Sequence, residues 1–292
     1  MQKNIFLILI FGAMIVWGAS WSCIKIMNEY LPAAELVFIR YALTATASFF
    51  IVIILKQKFT IDRKSLFVSL LVALLTAIYG YVVFLGTKLG SASLAGAFIN
   101  AFSPIITFIL LALFYKRVIK RFDMYALWFG FLGTMLMLGV WQFDIQKIFS
   151  AYNLYFVLGA FLWSGITIAS IHVRVNVAVF SFYMYFFTTI IVFIFADIDI
   201  ATFKNTNTKF WLNTFFVAVI STSIATTLFF LGTKKLGADK VSSFMFITPI
   251  SAIAVGILAL NEKLDIITFI GVALAILAVY MLNRIWIFKS YI

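Results

Sequence analysis

From Ile5 onward the chain runs in long, continuously apolar stretches separated by short polar breaks, with no two-residue alternation inside the stretches. Those breaks predict ten helices, near residues 5–27, 33–55, 65–87, 92–114, 124–141, 153–171, 178–195, 210–231, 242–260 and 264–282. Apolar runs of about 20 residues are what a hydrocarbon core roughly 30 Å thick requires. A barrel strand would alternate apolar and polar over about 10 residues, so helices are expected, each satisfying its own backbone amides. The first run continues to about Ile24 without a small-residue cleavage site and reads as a retained helix, not a signal peptide. No soluble domain is expected before or after the membrane part.

Composition agrees: 65% of residues are hydrophobic and only 11% charged, whereas a soluble domain carries about a quarter charged residues. The net charge of +12 raises the question of a nucleic-acid partner. Such a partner needs the basic residues gathered on one exposed face, and here they sit in short loops, so no nucleic acid is expected. Basic residues favour cytoplasmic loops. With the amino terminus inside, fifteen of the 22 fall on the inner side, among them Lys56, Arg63, Lys116, Arg117, Arg121, Arg174, Lys240, Arg284 and Lys289. Lys88, Lys147, Lys204, Lys209 and Lys263 fall outside. The expectation is a multi-pass protein of the cell (inner or plasma) membrane with both termini cytoplasmic, its basic loops against membrane lipids. The single cysteine, Cys23, offers neither a disulfide nor a thiolate metal site.

A repeat runs through the chain. Residues 85–114 read LGTKLGSASLAGAFINAFSPIITFILLALF and residues 231–260 read LGTKKLGADKVSSFMFITPISAIAVGILAL. Each enters an apolar helix carrying a proline, Pro104 or Pro249, expected to break that helix and free carbonyls beside a binding site. Trp17-Gly18 in the first helix is echoed by Trp163-Ser164 in the sixth. A repeat of five helices is odd, so the second copy enters the membrane in the opposite sense, giving two inverted repeats around a central cavity.

These features together resemble the drug/metabolite transporter superfamily, and within it the EamA type. The resemblance covers nearly the whole chain: Trp17-Gly18, Arg40 in FIRYAL, the small-residue turn before a proline helix in each half, and Asn261-Glu262-Lys263-Leu264. It implies an all-α integral membrane fold of two five-helix repeats, here 1–141 and 153–292, and transport with no bound cofactor. Members of the family serve amino acids, nucleotides, sugars and drug-like compounds, so no substrate is selected. The chain departs from the pattern at Lys116-Arg117, where an acidic residue like Glu262 often stands, and at Ser164-Gly165.

Ionisable groups at membrane depth face a cavity or a partner. Arg40 could hold a carboxylate or phosphate, or pair with Glu35. Lys25 precedes Glu29 by one helical turn and is expected to pair with it. Trp17 and Trp21 share a helix face, Trp163 is a counterpart from the other half, and the three could wall a cavity. Asn100, one turn before Pro104, could bind solute or cap freed carbonyls. Tyr79, Tyr183 and Ser223, with Tyr81 and Thr226, complete the candidate substrate contacts; each could equally be a helix-to-helix hydrogen bond. His172, the one histidine, is expected at the interface.

The expected function is therefore carriage of a small organic solute, amino acid, nucleotide-like or drug-like, as an exporter or exchanger by alternating access. A flippase for a lipid-linked sugar or headgroup is the alternative. An enzyme acting on lipid would need convergent carboxylates, histidines or a metal site, and the chain has no HExxH and no acidic pair in a cytoplasmic loop. No catalytic residue, metal or cofactor is expected. A homodimer is compatible with the sequence.

Overall fold

The computed structural model describes residues 2–114, 120–236 and 243–283. Lys116, Arg117, Lys240, Arg284 and Lys289 lie outside the described residues. Ten long helices follow one another: α1 (Gln2–Met27), α2 (Ala33–Ile54), α3 (Arg63–Leu89), α4 (Ala92–Phe114), α5 (Arg121–Met137), α6 (Ala151–Ser170), α7 (Val177–Phe195), α8 (Thr208–Leu236), α9 (Ile247–Leu260) and α10 (Ile266–Asn283). No strand occurs among the described residues. Seven helices, α1–α4 and α6–α8, are long and apolar enough to cross a bilayer unaided, and α9 and α10 are apolar but shorter. A 3-10 turn, Ser243–Phe246, precedes α9, and another, Val140–Gln142, follows α5.

Helix starts follow local chemistry. Asp62, Asn176, Asn207 and Asp265 each precede a helix and accept a hydrogen bond from a first-turn amide, on Ser65, Ala178, Phe210 and Thr268 respectively. The Ser65 side chain and amide hold the Asp62 carboxyl below its usual range. Asn261 adopts a left-handed φ of 52°, which asparagine tolerates, and turns the chain at the end of α9.

The surface is the reverse of a soluble protein's. Phe67, Phe114, Ile194, Phe195 and Leu258 are exposed, while Thr44, Ser48, Ser103, Thr188 and Ser223 are buried. An apolar exterior of this extent needs lipid as its solvent, and in lipid interhelical contact relies on small residues and polar side chains. Gly18 shows why: a side chain there would stand 2.7 Å from both the Thr248 carbonyl oxygen and the Ala252 amide nitrogen, so α1 and α9 meet backbone to backbone.

The packing repeats under exchange of the halves. Three helices meet their own counterparts: α5 packs on α10, α2 on α7 and α4 on α9. The pairing of α1 with α9 is matched by α6 with α4, that of α1 with α8 by α6 with α3, and that of α3 with α7 by α8 with α2. A two-fold axis between five-helix units produces this exchange, and ten helices of an all-α membrane protein result. Loops assigned to one side also meet one another. The Arg174 amide donates to Ser65, and Tyr183 donates to the Phe59 carbonyl at 2.7 Å; at the other end Lys209 pairs with Glu29 at 3.5 Å.

The prolines do not break their helices. Pro104 lies inside an uninterrupted α4. Pro249 falls in the first turn of α9, where no intrahelical partner is lost. The irregularity lies elsewhere, in α8, where Phe216–Ala225 is wound as a π-helix.

Candidate functional site

The axis between the halves carries a small, partly open cavity of about 60 Å³. That holds roughly four waters, well below the ~300 Å³ at which ligand pockets begin, so the site is seen contracted. Trp17, Ser20 and Trp21 of α1, Arg40 and Tyr41 of α2, Thr76 and Tyr79 of α3, and Asn100 of α4 line it from the first half. The second half contributes Trp163 of α6, Met184 and Tyr185 of α7, and Ser221, Thr222 and Thr226 of α8.

Equivalent residues meet here. Trp17 and Trp163 touch edge to face with centroids 6.0 Å apart, Tyr79 packs on Trp163 at 5.3 Å, and Tyr41 stacks on Tyr185 at 5.9 Å. Each such pair stabilises by about 0.5–1.5 kcal/mol beyond its buried area. The register of α2 against α7 follows from a second matched contact. Thr44 donates to the Ala218 carbonyl of α8, and Thr188 donates to the Ala73 carbonyl of α3. In that register Tyr41 corresponds to Tyr185 and Arg40 to Met184.

The π-helical segment of α8 is the polar hub. Its widened turns displace main-chain carbonyls from the usual ladder, and neighbouring helices supply donors. Trp17 Nε1 donates to the Ser221 carbonyl at 3.1 Å, and Tyr185 to that of Thr222 at 3.4 Å. Ser48 and Ser223 share a hydrogen bond at 3.0 Å. Arg40 Nη2 donates to Thr222 Oγ1 at 3.2 Å.

Arg40 is the one charged group among the described cavity-lining residues, and it is only 8% exposed. Its Cζ lies 5.3 Å from the Tyr41 ring centroid, and its Nε and Nη1 have no hydrogen-bond partner. The alternative of a pair with Glu35 is not formed among the described residues: Glu35 is buried too, but does not line the cavity. Thr76 also lines the cavity, with a buried hydroxyl that has no hydrogen-bond partner. Asn100 Nδ2 donates back to the Gly96 carbonyl at 2.7 Å. The carbonyl that Pro104 leaves without a helical donor is that of Asn100 itself.

Seven of the expected contacts are thus brought together: Trp17, Trp21, Arg40, Tyr79, Asn100, Trp163 and Thr226. Tyr183 and Ser223 are placed elsewhere, in the hydrogen bonds to Phe59 and Ser48. Tyr41, Thr76, Met184, Tyr185 and Thr222 were not among the expected residues. A signal for two of them exists, since Tyr-x-x-Thr stands at Tyr41–Thr44 and again at Tyr185–Thr188. Exposed His172 lies in the turn after α6.

Two charged side chains tie one end of the bundle, Lys25 within the first half and Glu262 across the halves. Lys25 does not pair with Glu29; its ammonium donates to the Thr87 and Gly90 carbonyls, both at 2.7 Å, at the end of α3. Glu262 accepts from the Ala92 and Ser93 amides at 2.7 and 2.8 Å, at the start of α4. A cation thus meets a helix carboxyl end and an anion a helix amino end, both favoured by the helix dipole.

Comparison with known proteins places this architecture. An uncharacterized transporter of Bacillus subtilis, YyaM, is 23% identical over 94% of this chain and 92% of its own length. An uncharacterized transporter of Synechocystis sp., sll0355, is 32% identical over 74 residues, which are 25% of this chain and 22% of that relative. A solved crystal structure shares the fold with a TM-score of 0.68 at 14% identity, covering 94% of this chain and 97% of that one. The EamA-like transporter family matches twice, over residues 4–139 and 150–284. With the whole bundle covered by those two matches, the chain belongs to the EamA-like transporter family.

Proposed function

We propose that this protein carries a small organic solute, of amino acid, nucleotide-like or drug-like size, across the cell membrane as an exporter or exchanger by alternating access. The observation that carries the proposal is the small cavity on the axis between two oppositely inserted halves, walled by paired aromatics and holding a buried guanidinium with free donors. Exchange of conformations between two such halves opens a fixed central site to one side and then the other. The Lys25 and Glu262 contacts would close one of those routes. Both termini face the cytoplasm in this reading, as the bias of basic loop residues indicates. The names of the relatives, both transporters, support transport over catalysis.

The test is counterflow in proteoliposomes loaded with a panel of labelled amino acids, nucleosides, organic acids, cationic metabolites and lipid-linked sugars. Saturable exchange of a soluble compound is expected, weakened by alanine at Trp17, Trp163 or Asn100 with expression unchanged. Headgroup scrambling without solute exchange would replace the carrier by a flippase, and conversion of a lipid to a new product would replace it by an enzyme.

A further inference from the structure

The cavity is charged on one side only. Arg40 and Met184 occupy matching places on α2 and α7 and both line the space, so the duplicated scaffold places a cation against one wall and a thioether against the other. Among the described lining residues there is no carboxylate to neutralise the guanidinium. A guanidinium cannot escape its cost by losing a proton. Buried without a counter-charge it is strongly unfavourable, and the Thr222 hydroxyl satisfies only Nη2, leaving Nε and Nη1 open. The unpartnered Thr76 hydroxyl adds a second donor to the same space.

We infer that the site takes an organic carboxylate, its anionic head on Arg40 with help from Thr76 and its apolar or aromatic body between Trp17, Trp163 and Tyr79. The aromatic walls alone would equally suit an organic cation. A fixed positive charge in a space this small repels one, and that decides between the two. Planar carboxylates match the donor geometry of arginine, and such charge-assisted hydrogen bonds are about twice as strong as neutral ones. Because the cavity holds only about 60 Å³, the occupant enters only as the halves part.

This inference deepens the transport reading and rests on the same cavity, and its test separates the two. Purified full-length protein is titrated with 3-phenylpropanoate, 3-phenylpropanamide and 3-phenylpropylamine, following tryptophan fluorescence, which Trp17 and Trp163 report from within the site. The same compounds are then assayed for counterflow. Expected is at least tenfold tighter binding of the carboxylate than of the amide or the amine. Arg40→Met should bring the carboxylate down to the level of the amide, and Arg40→Lys should keep part of the preference. Equal binding of the carboxylate and amide, tighter binding of the amine, or no binding of the carboxylate overturns the inference. So does a preference that survives in Arg40→Met. If that variant fails to fold, the three-compound comparison on the unaltered protein decides alone. Carboxylate-selective binding without counterflow would leave this inference standing and remove the carrier; counterflow of the amine without carboxylate preference would do the reverse.

Discussion

The two halves of this protein share their aromatic contacts at the cavity but not its charge. Thr44 and Thr188 make the same hydrogen bond to opposite copies, and Tyr41 stacks on Tyr185. One residue away the match ends, with Arg40 facing Met184. The helices that carry Thr76 and Thr222 also differ, since α3 stays α-helical around the first while α8 is π-helical around the second. Duplication supplies a frame in which the copies exchange partners. Chemistry arises where one copy has diverged, because a central charge or a widened turn needs only one side.

The sharpest way to break this comparison is to force the symmetry. Met184→Arg puts a second cation into the space that Arg40 already charges and should destabilise the empty protein by about 4 kcal/mol. Arg40→Met restores symmetry the other way. It removes a buried unpaired charge, so the empty protein should gain about 2 kcal/mol while losing stabilisation by carboxylates. Thermal unfolding in detergent, with and without 3-phenylpropanoate, reads both. Equal melting temperatures for the two variants would show that Arg40 is not unpaired.

A second pair of variants tests the helix crossings. Gly18 and Ser164 follow the two repeat tryptophans, and a Cβ at Gly18 would meet the backbone of α9. Ser164 has room for its hydroxyl, which donates to the Ser103 and Ala160 carbonyls at 2.9 and 2.8 Å. Gly18→Ser should therefore cost about 3 kcal/mol, and Ser164→Gly about 1 kcal/mol. Similar losses would mean that α1 and α9 approach no more closely than α6 and α4.

Smaller effects should follow at the tryptophans and the tied end. Trp17→Phe strands the Ser221 carbonyl and should cost about 1.5 kcal/mol, whereas Trp163→Phe should cost less, since only ring packing changes. Glu262→Gln keeps one acceptor oxygen for the amides of α4 and removes the charge, for a loss of about 1 kcal/mol. Its counterpart segment begins at Lys116, so no matching tie is expected in the first half. Faster counterflow in Glu262→Gln, measured beside the melting shift, would mark the tie as a barrier to opening.

Much of the fold was legible because hydrophobic length and small-residue patterns act locally. Helix limits such as Ala33–Ile54 and Ala92–Phe114 agree with the sequence expectation to within a residue. The prolines misled because one missing donor is tolerated inside a membrane helix, as at Pro104 within α4, and costs least in a first turn, as at Pro249. Tyr183 and Ser223 misled because a polar residue on a helix can turn to a neighbour as readily as to a cavity. Lys25 misled for a related reason: the carbonyls at the end of α3 lie far off in sequence but within reach of its ammonium.

Residue by residue, the chain by itself determined its solvent, its ten helices and the duplication, since each follows from apolar length, loop charge and repeated motifs read along one dimension. Tertiary structure alone decided which Trp, Tyr and Thr converge, that α8 loosens into a π-helix, and that Arg40 is buried without a counter-charge. Those outcomes depend on which faces of distant helices meet. Hydrogen bonds and desolvation act over a few ångströms of space, whatever the separation along the chain.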